Sequence, residues 1–164
     1  MLRPRVLVLL VAAGALGACS TSGATPGADG GGGGGASSGG GASLPNVGLV
    51  GRFDARDPGG PRAGWPGTRV IVRFEGTGLT AKLTEAASRG SSGYDVIVDG
   101  TPSPAPIFPP SGASDQVLAT GLAPGEHVVE LWRRTESRVG VTQFRGFEVA
   151  AGGQLLPPPP PRGR

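Results

Sequence analysis

The sequence RVIVRFEGTGLTAKL, residues 69–83, contains two short runs in which apolar and polar positions alternate. In the first run, Val70, Val72 and Phe74 recur at every second position, and the second run, LTAKL, follows the same period. Successive side chains of a β-strand point to opposite faces of the sheet, so this period predicts two strands that each bury one face. Because glycines separate the runs, we predict a β-hairpin.

The same stretch also fits a second interpretation. The letters GTGLTA, residues 76–81, match the G-x-G-x-x-A loop of dinucleotide-binding folds, and Asp95 and Asp99 follow about 20 residues later, where such folds keep an acidic residue. A dinucleotide fold also requires further strand–helix repeats, and nothing after Gly100 has helical periodicity. The hairpin is therefore the favoured interpretation.

The rest of the central region repeats the strand signal. Tyr94, Val96 and Val98 alternate with more polar positions, and the turn dipeptide Asp99-Gly100 follows directly. Further strand-like runs occur at residues 117–120, 127–133 and 143–149. Short strands separated by Gly and Pro turns predict an all-β fold, an antiparallel β-sandwich or jelly roll over residues 47–156.

Charge distribution argues against nucleic-acid binding. The whole chain has a formal net charge of +3, but residues 47–156 contain 11 Lys plus Arg and 11 Asp plus Glu. The surplus comes from arginines near the two ends, at 3, 5, 162 and 164, offset by Asp29. A neutral body offers no basic stripe to neutralise phosphates, so no nucleic-acid partner is expected.

The first residues have the pattern of an export signal. MLRPR and the apolar run VLVLLVAAGALGA predict a signal peptide over residues 1–18. The letters LGAC that end at Cys19 resemble the lipobox of bacterial lipoproteins, in which the Cys is lipidated and anchors the protein to a membrane. With Ser20 next to it, we expect an exported, membrane-anchored lipoprotein, at the outer membrane or cell surface rather than the inner membrane. The alternative is that Cys19 is an unused thiol in a discarded signal peptide.

Residues 19–46 join this anchor to the body and are dominated by Gly and Ser. Such composition cannot bury enough apolar surface to fold, so we predict a disordered, flexible linker. The segment GASSG, residues 35–39, matches a hydrolase nucleophile motif at Ser37. Because a nucleophile elbow needs a strand before it and a helix after it, we interpret this match as chance.

Few residues of the body suggest chemistry. His127 is the single His of the chain and no Cys lies in the body, so neither a metal site nor a Ser-His hydrolase site is predicted, and no cofactor is expected. The favoured role of His127 is that of a residue at a strand edge with local hydrogen bonds. Three aromatic residues are candidates for stacking on sugar rings or for facing another domain, namely Trp65, Trp132 and Tyr94. Trp65 could instead plug the end of the sandwich, and Trp132 could belong to the core.

Four stretches considered together resemble a known family. They are GRFDARDPGGPRAGWPGTRVIVRFEGTGL (51–79), YDVIVDG (94–100), LAPGEHVVELWRRTES (122–137) and FRGFEVAAGGQLLPPPPPR (144–162). Their order resembles the N-terminal domain of carbohydrate esterase family 2, which includes acetylxylan esterases. The resemblance implies a jelly-roll domain followed by an SGNH hydrolase domain with a GDS nucleophile motif and a catalytic His. No position of this sequence matches those catalytic residues, so no catalytic residue is assigned, and we interpret residues 157–164 as a proline-rich interdomain linker.

Three functional hypotheses follow. The first is a non-catalytic accessory domain of a sugar deacetylase, and the second is a glycan-binding module for an acetylated plant or microbial polysaccharide. The third is part of an active carbohydrate esterase whose hydrolase domain is truncated or separately encoded. If a partner domain normally covers one face, we expect that face to expose an apolar patch.

Overall fold

A computed structural model describes residues 42–160 of the 164-residue chain. Ten β-strands account for its regular structure, and this part of the chain contains no helix. The predicted signal peptide, Cys19, Ser37 and nearly all of the predicted tether lie outside the described residues. The strands are β1 (Val47–Val50), β2 (Arg62–Ala63), β3 (Arg69–Glu75), β4 (Leu79–Ala87), β5 (Tyr94–Val98), β6 (Thr101–Pro102), β7 (Gly112–Ala119), β8 (Glu126–Arg133), β9 (Gly140–Val149) and β10 (Gln154–Leu156).

The strands form two sheets that face each other. Sheet A has six strands in the order β1-β3-β8-β5-β6, with β10 also paired to β3, and sheet B has four strands in the order β2-β9-β4-β7. All pairs of these strands are antiparallel. Apart from the β5–β6 hairpin, consecutive strands alternate between the sheets, which is the crossing pattern of a jelly roll. The all-β sandwich prediction is confirmed.

The core lies between the sheets and is built from the alternating positions that open the sequence analysis. Val70, Val72 and Phe74 of β3 are at most 1% exposed, as are Leu79 and Leu83 of β4. Burying each such side chain contributes about 1.5–3 kcal/mol relative to leaving it in water. The predicted β-hairpin is wrong, because β3 pairs within sheet A and β4 within sheet B. Residues 76–81 instead cross from one sheet to the other and start a strand rather than a helix, which also excludes the dinucleotide-loop interpretation.

The predicted turn at Asp99-Gly100 is confirmed. Both residues have positive φ, 50° and 80°, as a two-residue turn of type I′ requires. The turn joins β5 to β6 at the edge of sheet A. It also places the Asp99 side chain beside the start of β8, where Asp99 Oδ1 accepts a hydrogen bond from the Val128 amide at 2.8 Å.

The first and last strands of the sandwich lie end to end on the same edge of β3. Leu156 of β10 is paired with Arg73, and Val47 of β1 is paired with the next residue, Val72. The proline run then passes over β1, because a Cβ placed on Gly48 would come within 3.3 Å of the Pro158 side chain. The chain therefore enters and leaves the domain at neighbouring points.

Candidate functional site

Trp65 lies in the loop between β2 and β3 and forms one wall of an open cleft. Its side chain is 52% exposed, and the Arg52 guanidinium lies over the indole ring, 5.5 Å from its centroid. The Thr68 hydroxyl donates to the Trp65 carbonyl oxygen at 2.9 Å and fixes the loop. Trp65 therefore does not plug the sandwich and presents its ring to solvent.

The cleft beside Trp65 has a volume of about 500 Å³. Phe53 and Val141 are apolar residues of its lining, while Arg62 and Ser137 are polar ones. It forms where the segment after β1 runs next to β2, held by a backbone bridge between Asp54 and Arg62. A cleft of this size and mixed character is within the usual range for small-ligand sites, roughly 300–1,000 Å³.

Trp132 lies on the outer face of sheet A, because it follows the buried Leu131 in the alternation of β8. Its side chain is 38% exposed and is held by its neighbours. Arg69 lies over the ring at 4.6 Å, and the indole Nε1 donates to Glu130 Oε2 at 2.9 Å. The ring is thus fixed on the surface, with the Arg69 guanidinium over it.

Two other exposed apolar side chains, Val50 and Phe108, lie near Trp132, with charged residues between them. The register aligns Val50, Arg69, Trp132 and Asp95 across sheet A, so charged residues alternate with apolar ones. Phe108, 56% exposed, packs against Gly93 close to this row. The result is a mixed aromatic and charged surface rather than the apolar patch expected from the sequence. Interdomain interfaces have this more polar character, whereas obligate interfaces are more apolar.

Tyr94 corrects one sequence-based assignment. It is 1% exposed and packs edge-on against Phe144, with ring centroids 6.0 Å apart. Its hydroxyl accepts a hydrogen bond from Arg133 Nη1 at 3.2 Å, and burial raises the pKa of the phenol. Because the ring lies in the core, Tyr94 can neither stack on a sugar nor face another domain. Its alternation with Val96 already indicated the buried side of β5.

A buried polar network next to Tyr94 was not anticipated from the sequence. Glu85 and Arg133 are each 2% exposed, and their shared neighbours Ser92 and Thr142 are fully buried. Every buried side-chain nitrogen and oxygen in the described residues has a hydrogen-bond partner. The network joins sheet A to sheet B at the same end of the sandwich as Trp132. We interpret it as a structural element, because it is enclosed and fully satisfied.

His127 is engaged through both ring nitrogens, as the sequence suggested. Nδ1 lies 2.7 Å from Asp99 Oδ2, and Nε2 lies 2.8 Å from the carbonyl oxygen of Ala123. A carboxylate and a carbonyl can only accept, so the two contacts favour the doubly protonated ring. The Asp99 carboxylate first, and the Ala123 carbonyl second, raise the pKa of His127. A general base needs a free nitrogen lone pair facing its nucleophile, and this imidazole offers none.

The described residues contain no cluster of three or more His, Cys, Asp or Glu side chains suited to a metal ion. Nor does this part of the chain include a helix long and apolar enough to cross a membrane. Asp95, which follows the dinucleotide-like loop in sequence, forms an ion pair with Arg134 at 3.0 Å. The Trp65 cleft and the Trp132 surface are therefore the candidate functional sites.

Comparison with known families agrees with this architecture. The family model described as carbohydrate esterase 2 N-terminal matches residues 49–159. The chain belongs to this family. The match spans the carbohydrate esterase 2 N-terminal domain from β1 to the proline run, and so contains both candidate sites.

Individual relatives of this N-terminal domain are longer proteins. Cellulase/esterase CelE of Acetivibrio thermocellus is 39% identical over 117 residues, which are 71% of this chain and 14% of CelE. An acetylxylan esterase / glucomannan deacetylase of Cellvibrio japonicus is 32% identical over 118 residues, 71% of this chain and 31% of that protein. A solved family two carbohydrate esterase from Clostridium thermocellum, in complex with cellohexaose, superposes with a TM-score of 0.63 at 38% identity. It is matched over 69% of this chain and 33% of its own.

Proposed function

We propose that the sandwich is a non-catalytic accessory domain of a carbohydrate esterase. One observation carries the proposal. His127 is the single His of a domain that belongs to the esterase family, and both of its ring nitrogens are already bound, to Asp99 and to Ala123. Acyl transfer needs an activated nucleophile, a base within hydrogen-bond reach and donors for the oxyanion. The described residues contain no Ser–His pair among their hydrogen bonds.

The test is an esterase assay on the purified chain. We expect no hydrolysis of acetylated xylan or 4-nitrophenyl acetate above a heat-treated control, and no change in the His127→Ala variant. Turnover that persists through purification and disappears in His127→Ala would overturn the proposal. An esterase domain encoded directly downstream, with a GDS motif, would instead support a role as part of an active enzyme whose hydrolase is separately encoded.

A second candidate function is glycan binding, favoured by the exposure of Trp65 and Trp132. Exposed aromatic rings held by neighbouring guanidinium groups are preorganised and lose little side-chain entropy on binding. The cellohexaose complex of the Clostridium thermocellum relative supports a polysaccharide as the partner. Titration of the intrinsic Trp fluorescence with cello- and xylo-oligosaccharides tests this function. Loss of binding in Trp65→Ala or Trp132→Ala identifies the ring responsible.

We also propose that the domain is displayed on a bacterial membrane as a lipoprotein anchored at Cys19. The support is the sequence of the leader alone, with its charged start, its apolar run and the LGAC tetrapeptide. The Gly-rich linker would hold the sandwich away from the lipid surface, within reach of extracellular or periplasmic glycans.

A further inference from the structure

We propose that the cleft beside Trp65 recognises a carboxylated sugar, a uronic acid residue of a polysaccharide, through Arg52. This inference rests on the proposed glycan-binding function and adds the chemical class of the ligand. It depends on three features of the cleft: the charge balance of its walls, the position of Arg52 and the surface beneath it.

The charge balance of the cleft is positive. The carboxylate of Asp54, which also lines the cleft, is held by Arg56 through two hydrogen bonds of 2.8 and 2.7 Å. The hydrogen bonds from Arg56 keep the pKa of Asp54 well below its usual range, so its charge is present and compensated. Arg62 has a distant partner, Asp57, at 3.9 Å. These residues and Arg52 together have a net charge of +1, from three arginines and two aspartates.

Arg52 is the cation without a carboxylate partner in this group. Among residues 42–160 no acidic side chain lies within salt-bridge distance of its guanidinium, which lies over the Trp65 ring instead. A guanidinium that is attracted to an aromatic face, without a carboxylate partner, keeps N–H groups available to a ligand. Those donors match the geometry of a carboxylate, which they can bind in a bidentate manner.

The rest of the cleft suits a sugar ring better than an acidic peptide. Trp65 is 52% exposed with Arg52 over its ring, so it offers the aromatic surface that Arg52 leaves open. Phe53 and Val141 add apolar residues for the C–H groups of a pyranose. Ser137, which also lines the cleft, adds a side chain that can both donate and accept hydrogen bonds. A uronic acid combines an apolar ring face, hydroxyl groups and one carboxylate, and each of these has a counterpart in the cleft.

The experiment compares two matched ligands by isothermal titration of the full chain. One is a neutral xylo-oligosaccharide, and the other is the same oligosaccharide with a single glucuronic acid branch. We expect the acidic ligand to bind roughly tenfold more tightly or better, because a charge-assisted hydrogen bond adds that much to affinity. The preference should decrease as salt is added, since the carboxylate contact is electrostatic.

Variants separate the sugar contact from the carboxylate contact. Arg52→Gln should remove the preference and leave the affinity for the neutral ligand, whereas Trp65→Ala should weaken both ligands. Arg73→Gln is the matched control, because it also removes one positive charge, from a β3 residue that pairs with Glu126 and does not line the cleft, and should keep the preference. Circular dichroism verifies that each variant folds.

The possible failures are distinguishable. Equal affinity for the two ligands, or a preference that survives in Arg52→Gln, overturns the carboxylate inference while glycan binding stands. Binding of neither ligand overturns glycan binding itself. An acidic peptide that binds as tightly as the branched sugar, and depends equally on Arg52, overturns the assignment to a sugar.

Discussion

Glu85 and Arg133 are opposite charges in the core that are joined through two hydroxyl groups rather than by direct contact. Arg133 Nη1 donates to Ser92 Oγ at 2.8 Å, and Ser92 Oγ donates to Glu85 Oε1 at 2.6 Å. The second path runs from Arg133 Nη1 to Thr142 Oγ1 at 3.4 Å and on to Glu85 Oε2. Since Glu85 and Thr142 belong to sheet B and Arg133 to sheet A, the network links the two layers.

Removing the guanidinium of Arg133 should therefore strongly destabilise the domain. Arg133→Met leaves the carboxylate of Glu85 buried without its compensating charge, and we expect the free energy of unfolding to fall by about 3–5 kcal/mol. The neighbouring Arg134→Met is the control, because Arg134 is half-exposed in a surface pair with Asp95 and should cost about 1 kcal/mol or less. Urea denaturation measures both. Similar losses in the two variants would contradict the structural role of the network.

Gly60 is predicted to resist substitution for two reasons. Its φ is +130°, and a Cβ there would collide with the carbonyl oxygen of Phe144. Gly121 shares a positive φ, +68°, but has open space around it. We expect Gly121→Ala to cost about 1–2 kcal/mol from backbone strain alone, and Gly60→Ala to cost more. Thermal unfolding of the two variants tests this order, and the reverse order would refute the packing argument.

The Asp99–His127 pair should make stability depend on pH. The folded-state pKa of His127 is raised above its ordinary value near 6.5. Its contribution to the free energy of unfolding is therefore fully present below about pH 6.5 and is lost as pH rises through the raised pKa. Partial burial opposes ionisation of Asp99, but hydrogen bonds from the Val128 amide and from His127 lower its pKa overall. The contribution of Asp99 to the free energy of unfolding is therefore present above pH 3.8 and is lost as pH falls through the lowered pKa.

Two measurements test this pH dependence. His127→Gln should flatten the decline in unfolding free energy above pH 6.5. Since the chain has one His, its Cε1 proton gives one NMR titration curve, and we expect a midpoint above 6.5. A midpoint at or below 6.5 would show that the pair does not form in solution.

Cys19→Ser tests the proposed anchor. If the thiol is the acylation point, the variant should leave the membrane fraction or accumulate as an unprocessed precursor, because the lipid chains that hold the protein are not attached. Cell fractionation and the mass of the mature protein provide the measurement. A variant that is processed and fractionates as the parent does would end the lipoprotein proposal.

Local periodicity was sufficient to predict the large strands and the core. Val70, Val72 and Phe74 face inward as expected, because one face of β3 must be buried whatever its partners are. Short strands such as β1, β2 and β10 were not predicted, since two to four residues contain too little pattern and owe their structure to pairing with β3 or β9. The start of β7 at Gly112 was missed because its first residues are small or polar.

The buried polar network and the Trp65 cleft were less predictable than the strands, because both depend on contacts between distant parts of the chain. The period of two puts Glu85 on the same face as Leu83, and Arg133 on the same face as Leu131. It therefore indicates that both side chains are buried, but their charge argued against this interpretation. Their meeting depends on how the two sheets pack face to face, which brings together residues 48 positions apart in sequence. The Trp65 cleft depends likewise on the bridge between Asp54 and Arg62, which no local pattern indicates.

The adjacency of Val47 and Leu156 along β3 has a mechanical consequence. A force that pulls on the chain before Val47 and after Leu156 acts between two neighbouring points of one sheet edge. Such tension would peel β1 and β10 from β3 one hydrogen bond at a time, without loading the interior strands or shearing one layer over the other. The strands between β3 and β9 and the Trp65 cleft therefore carry little of this tension. The domain can be stretched between its two ends and still keep most of its sandwich intact.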